Sequence, residues 1–393
     1  MDLHPLTEAH VKAGEPLLVD VFDAQGRLLL KAGATPSGAQ LARLLEHGLY
    51  ADPVALEAAL PGSVSGGMAA PEIAGTELRV VQMVAQAKRD LEAWQTAALA
   101  GITDRPALEA IARSLERASG LDADACMGQI SFDRPPSYAA RHAVDTALLG
   151  ALVAQQLGHA AEERALLIRA AITMNLGMVG LQDALYAQST PLSAEQLTLI
   201  RQHPEHSAAL LQALGVQDAR WLNIVRQHHE AAEGSGYPAG LQADAIDPLA
   251  RCIAVADQIC ALLSERAHRD AINPMRAVQK LTQAPPKSLS SETSGALVQL
   301  MTPCPPGAVV RLHSADTGVV ARRTRHADSP IVMVFLNRMN KRFDPPLRKP
   351  SSADANRIVE ALPQNAIDPR PLASAIWDEV IDSAATAAPA PSA

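Results

Sequence analysis

Apolar residues change their spacing several times along the chain, and each change marks a boundary. Two short apolar runs, Leu17 to Phe22 and Leu28 to Lys31, flank Asp23-Ala24-Gln25-Gly26. Asp and Gly supply turn conformations, so residues 15–31 are predicted to form a β-hairpin. Ser37 suits the start of a short helix carrying Leu41, Leu44 and Leu45, with Gly48 as its stop. Residues 61–75, PGSVSGGMAAPEIAG, have the composition of a linker. Beyond it Val84, Ala87, Leu91, Trp94 and Ala98 recur at three- and four-residue steps on one helical face. A second helix is bracketed by Asp104-Arg105-Pro106 and Gly120, with Leu108, Ile111 and Leu115 inward. Further helices are predicted over 137–158, 160–173, 193–201, 204–214, 217–230, 248–265 and 274–283. Ser193 with Gln196 reads as a capping box. Pro204, Pro248 and Pro274 each fall where a first helical turn tolerates a missing N–H. After Pro305-Pro306 the period drops to two, with strands around Val309 to Leu312, Gly318 to Val320 and Ile331 to Leu336. The tail AATAAPAPSA has nothing to bury.

The expected division is an α+β accessory module over 1–60, a linker over 61–75 and a helical domain over 76–300. A small β module over 301–345 and a C-terminal segment over 346–393 with a disordered tail complete it. The first module reads equally as a sensor or as a packing or dimer element. Composition supports a mainly α fold: the 393 residues are 48% hydrophobic but only 3% aromatic. Ala, Leu, Val and Ile must therefore fill the interior, and Ala and Leu lose little rotamer freedom in helices.

Charge and cysteines narrow the function. Thirty-four basic against 42 acidic residues give a net charge of −8, which argues against DNA or RNA as a partner. Cys126, Cys252, Cys260 and Cys304 form no CxxC pair, and MDLHPLTEAH has no basic stretch leading into an apolar core. A reducing, cytoplasmic location is the expectation. No run of about 20 apolar residues stands out as a bilayer span.

Six of the twelve histidines fall between positions 142 and 229. His142 shares a helical face with Leu149 and Val153, so it points inward. His203 precedes Pro204, and His228 and His229 end a helix carrying Trp221, Ile224 and Val225. Asp257 lies in the apolar run Ile253 to Ala256, where an unpaired carboxylate would be costly. Inward imidazoles and an acid among helices describe a metal site built from facing helices. Each histidine could equally be a hydrogen-bonded core residue, and the spacing alone leaves both readings open.

The text after the histidine pair adds a resemblance. His228-His229-Glu230, then Gly234-Ser235-Gly236-Tyr237-Pro238, then Gly240-Leu241, resembles the HD-GYP signature HHExxDGxGYPxGL, with Glu233 where the family usually has Asp. The likeness extends over roughly 136–283, through RHAVDTALLGALVAQQLG, HPEHSAALL and LARCIAVAD. It implies an HD-type helical bundle and, in active members, hydrolysis of cyclic di-GMP at a cluster of two or three iron or manganese ions. It further implies metal ligation by His142, His203, His228, His229 and Asp257. Arg266 and Arg269 match basic positions that face substrate phosphates, although both also suit a helix end. The loop of Gly234, Gly236, Tyr237, Pro238 and Gly240 matches one implicated in contacting diguanylate-cyclase-type proteins, or it simply covers the site.

One motif departs. The family's His-Asp doublet falls on Met174-Asn175, its following lysine on Met178, and a glutamate of some members on Tyr138. Cys260 stands where many members have Asp and reads as a buried packing thiol. An amide keeps the shape of the bridging carboxylate but carries no charge, and a thioether suits hard divalent ions poorly. The expected protein therefore binds cyclic di-GMP or a related nucleotide, a cyclase-type partner, or both, with little or no hydrolysis. The alternative is a phosphodiesterase or phosphohydrolase with a rearranged mononuclear site. The cofactor is one divalent metal (iron, manganese or zinc) or none, and a homodimer is compatible with the sequence.

Overall fold

The computed structural model describes residues 4–6, 17, 21–23, 28–31, 34, 36, 49–51, 79–132, 137–267, 269–283, 288–324, 326, 328–368 and 373–377. The chain divides into two units, Met1–Thr76 and Glu77–Ala393. In the first, β1 (His4–Leu6), β2 (Val21–Phe22), β3 (Leu28–Leu30) and β4 (Leu49–Ala51) form a sheet of order β1-β4-β2-β3. The hairpin is present: β2 and β3 pair antiparallel, Val21 opposite Leu30. Val21, Leu49 and Ala51 are buried. The helix starting at Ser37, the 61–75 linker and the last ten residues lie outside the described residues.

The second unit is helical. Its elements are α1 (Val80–Leu99), α2 (Arg105–Leu121), α3 (Ala123–Phe132), α4 (Tyr138–Gln156), α5 (Ala161–Thr173), α6 (Val179–Ala187), α7 (Ala194–Ala213), α8 (Ala219–Gln227), α9 (Pro248–Leu263), α10 (Pro274–Gln283) and α11 (Ser291–Met301). A 3₁₀ turn, Leu176–Met178, joins α5 to α6. The central helix is α4, buried from Tyr138 to Ala154 and packed against α1, α5 and α9. Ser137 caps it, and Asp183 of α6 accepts from Ala139 N at 2.8 Å. A buried ion pair, Lys88 to Asp145 at 2.7 Å, ties α1 to α4.

Four features depart from the sequence pattern. First, α7 runs unbroken through Pro204 where two helices were expected. A proline inside a helix ordinarily costs about 3 kcal/mol, so the sequence rule placed it at a helix start. Second, α3 is buried on every side from Ala125 to Phe132 and so shows no amphipathic period to read. Third, the sheet continues past residue 345. The strands β5 (Val309–Leu312), β6 (Thr317–Arg322), β7 (Ile331–Leu336), β8 (Arg342–Pro350) and β9 (Ile358–Ala361) form an antiparallel sheet of order β8-β7-β6-β5-β9. The prolines of β8 hide it in sequence, and its place at the sheet edge is where missing N–H groups are tolerated. Val309, Val319, Met333 and Phe335 join the same core as the helices. So does Trp377 of a short final helix, α12 (Ala373–Trp377).

Fourth, residues 161–187 are long and apolar enough to cross a membrane by length and composition, contrary to the expectation that no such run exists. The stretch is three consecutive helical pieces, and Leu167, Ile168, Ile172 and Met174 are buried among the other helices. That is the pattern of a core helix.

Candidate metal and ligand site

Three imidazoles converge where α7 meets the end of α8. One ligand nitrogen from each of His203, His228 and His229 lies within 4.8 Å of the others. His203 sits mid-α7 and its Nδ1 donates to Ile200 O at 2.6 Å. His228 closes α8 and its Nδ1 donates to Val225 O, also at 2.6 Å. A carbonyl only accepts, so both Nδ1 atoms carry the proton and both Nε2 atoms are bare. These two Nε2 atoms face each other at 3.0 Å. Two lone pairs at that distance repel unless a cation lies between them. Burial, reinforced by the neighbouring His229, pushes the His203 imidazole down to about 3. Burial lowers His228 and His229 as well, so proton sharing does not relieve the contact near neutral pH. Nitrogens bound to one ion at ~2.0–2.1 Å lie roughly 3 Å apart. The donor set fits one divalent ion.

His142 and Asp257, expected as further ligands, are hydrogen-bonded to each other. His142 Nε2 lies 2.6 Å from Asp257 Oδ1, joining α4 to α9, and its Nδ1 has no hydrogen-bond partner. Burial alone would raise the Asp257 carboxyl. The hydrogen bond and charge of His142, with His229 and His228 nearby, outweigh it and hold the group well below the usual carboxylate range. Both residues share a cavity of about 550 Å³ with His203 and His229. Tyr138, Tyr186 and Tyr237 line it too, as do Gln182 and Arg266. Tyr138 stacks between His142 (centroids 5.3 Å apart) and Tyr186 (4.6 Å). Tyr237 stacks on His229 at 4.8 Å. The hydroxyl of Tyr138 accepts from Arg266 at 3.1 Å, while the buried Arg266 Nε has no partner.

The Met174-Asn175 pair splits between core and cavity. Met174 is fully buried in the hydrophobic core and is not among the residues lining the cavity. Asn175 lines it, and its buried Oδ1 has no hydrogen-bond partner. Met178 stands on the same wall. The turn holding them rests on α7: a Cβ on Gly177 would lie 2.8 Å from Ser207 N, whose hydroxyl instead accepts from Gly177 N at 2.9 Å.

Residues 125–286 match the family model of the HD domain. Over those residues the chain is similar to HD domains, those of HD-GYP cyclic di-GMP phosphodiesterases among them. A cyclic di-GMP phosphodiesterase of Pseudomonas aeruginosa is 29% identical over 173 residues, 44% of this chain and 42% of that protein. The cyclic di-GMP phosphodiesterase response regulator RpfG of Xanthomonas campestris is 36% identical over 124 residues, 30% of this chain and 32% of that protein. The chain thus spans less than half the length of these relatives. In fold, the HDG"Y"P protein Bd1817 of Bdellovibrio bacteriovorus superposes with a TM-score of 0.50 at 17% identity, covering 77% of this chain and 100% of that one.

Within residues 125–286 the glycine-rich loop is held by a residue that sequence reading left without a role. Glu230, buried, accepts from Ala239 N at 2.7 Å and Leu241 N at 2.8 Å. Gly236 crosses directly over the backbone of residues 229–231, where a Cβ would lie 2.6 Å from His229 O and meet Ala231 N. Tyr237 N donates to His229 O at 3.2 Å, which seats the ring on its imidazole. Burial raises the Tyr237 phenol, keeping it neutral. Gly234, Gly236, Pro238 and Gly240 are not among the residues lining the cavity. Of the two places expected for Arg269, the helix end is the one seen: its guanidinium donates to Ala261 O at 2.6 Å and Ser264 O at 3.3 Å. It satisfies carbonyls at the end of α9, and only Arg266 of the two lines the cavity. Tyr186 and Gln182 were missed because neither belongs to a motif. The signal was composition: three of the chain's four tyrosines line this one cavity.

Proposed function

We propose that this chain is an HD-GYP-like protein of cyclic di-GMP signalling that acts by binding the nucleotide, a cyclase-type partner protein, or both, with little or no hydrolysis. The observation that carries the reading is the divided doublet: Met174 is sealed in the core and Asn175 offers an uncharged carbonyl, while the three imidazoles remain together. A divalent ion, when bound, lowers the pKa of water from 15.7 to about 7 and so supplies a nucleophile at neutral pH. Holding a second ion beside the first calls for a bridging negative charge, which an amide does not provide. What the chain keeps is suited to binding. Flat phenol rings stack on a nucleobase with little conformational cost, and Arg266 brings a guanidinium to the cavity wall for a phosphate oxygen. The names of the relatives supply the nucleotide.

The test is calorimetry with cyclic di-GMP, followed by chromatography of the same mixture. Binding without linear product is expected, weakened about tenfold or more in Arg266→Ala, since a charged hydrogen bond contributes ~1.5–3 kcal/mol. Linearisation that disappears in His228→Ala would overturn the reading. The compact triad favours a second reading, slow phosphoester hydrolysis at one metal ion. Elemental analysis separates the two: one stoichiometric Fe, Mn or Zn with turnover supports it, and protein that loads no metal excludes it.

A further inference from the structure

His203 is followed directly by Pro204 inside α7. Inside an α-helix the N–H of residue 204 would donate to the carbonyl of residue 200. Pro204 has no N–H, and it lies in the buried interior of α7, a position that helices disfavour. The carbonyl it leaves free, Ile200 O, is the one that accepts from His203 Nδ1 at 2.6 Å. His228 reaches the same state by a different route. Its Nδ1 donor goes to Val225 O in the last turn of α8, where carbonyls lack helical partners in any case. A histidine in mid-helix has no such orphan carbonyl unless one is made for it.

We propose that Pro204 is a positioning residue: by leaving Ile200 O without its helical donor, it locks His203 in the Nδ1–H tautomer and turns a bare Nε2 toward the triad. The proposal rests on reading the triad as a metal site. Helix start does not account for the proline, because α7 continues for ten residues before it, from Ala194 to His203. Nor does the helix need the lost bond to stay in place, since Ser207 holds it to Gly177 one turn further on.

Two variants of different size, Pro204→Ala and Pro204→Val, both restore the N–H. Nitrogen-15 correlation spectra of the metal-free chain at pH 7.5 report the His203 tautomer, assigned with His203→Asn, and calorimetry with Zn²⁺ alone reports affinity. Wild-type His203 is expected as Nδ1–H, with both variants shifting to a mixture that includes Nε2–H. Both should bind Zn²⁺ about tenfold or more weakly, in line with the loss of a partner that orients a ligand. Nε2–H in the wild type would overturn the proposal without any variant. So would variants that keep the tautomer and the affinity, or a loss that follows side-chain size with the tautomer unchanged. A wild type that is Nδ1–H yet binds no Zn²⁺ overturns the metal reading while leaving the lock in place.

Discussion

Mild acid should destabilise the metal-free protein well before ordinary carboxylates titrate. An unfolded histidine gains its proton near pH 6.5, whereas His203 in the folded chain is pushed down to about 3 by burial and then by His229. Between those limits the unfolded state binds the extra proton, so stability rises with pH and falls as pH drops through 6.5. At pH 5 the unfolded ring is almost fully protonated and the folded one is neutral. One unit of pH across this range is worth about 1.4 kcal/mol, so His203 alone removes about 2 kcal/mol between pH 7.5 and 5. His228 and His229 shift in the same direction and add to the loss. Asp257 has a lowered carboxyl. Its contribution is intact above roughly pH 4 and lost only below that, where the unfolded carboxyl protonates. Urea unfolding after exhaustive chelation, followed by tryptophan fluorescence at pH 7.5, 6.5, 5.5 and 5.0, measures the slope. His203→Gln removes the titrating ring from both states, so its fall should be smaller by about 2 kcal/mol. An unfolding midpoint that stays level from pH 7.5 to 5 would refute the reasoning, as would a variant that falls as steeply as the wild type.

Three further outcomes are expected. Gly236→Ala forces a methyl against backbone atoms of residues 229–231, an overpacking that costs about 1–3 kcal/mol. The loop should lift off His229, lowering the melting temperature and opening residues 234–241 to limited proteolysis; unchanged melting and cleavage would count against the close crossing. Trp377→Ala removes a fully buried ring seated on Gly128, whose Nε1 donates to Ala321 O at 3.1 Å. A loss of about 3–5 kcal/mol in urea unfolding is expected, and a loss below about 1 kcal/mol would mean that α12 is dispensable to the core. Met174→His combined with Asn175→Asp should raise bound iron or manganese per chain by elemental analysis. No gain would show that the core around Met174 has closed too far for a ligand to swing out.

How much was legible follows from where each signal lay. Amphipathic helices were plain in the sequence because burial on one face leaves a period, as in α1 and α2. Capping chemistry was equally readable: the box at Ser193 and Gln196 is formed in both directions, and Pro248 and Pro274 open α9 and α10. Helices buried all round, such as α3, carry no period. Edge strands with several prolines, such as β8, look like loop. Pro204 misled for a physical reason. The rule that prolines start helices assumes that the lost hydrogen bond goes unused, and here the freed carbonyl is taken by a side chain.

In the site, contiguous residues were readable and distant ones were not. The histidine pair and its loop announce themselves within fourteen positions, 228–241. The 2.6 Å pairing of His142 with Asp257 spans 115 residues. Only the fold could show that these two meet, on the wall that also carries His203 and His229. That pairing sharpens what the net charge of −8 implies for an anionic ligand. The cavity wall carries one guanidinium, Arg266, and one ionised carboxylate, Asp257. Met178 stands where the resembling family has a lysine, and Arg141 lies over the rings of Tyr138 and Tyr186. Arg266 and ring stacking must therefore compete with phosphate repulsion from Asp257. A divalent ion at the three imidazoles would tip that balance toward binding. If the proposed function holds, nucleotide affinity and metal occupancy should then rise together.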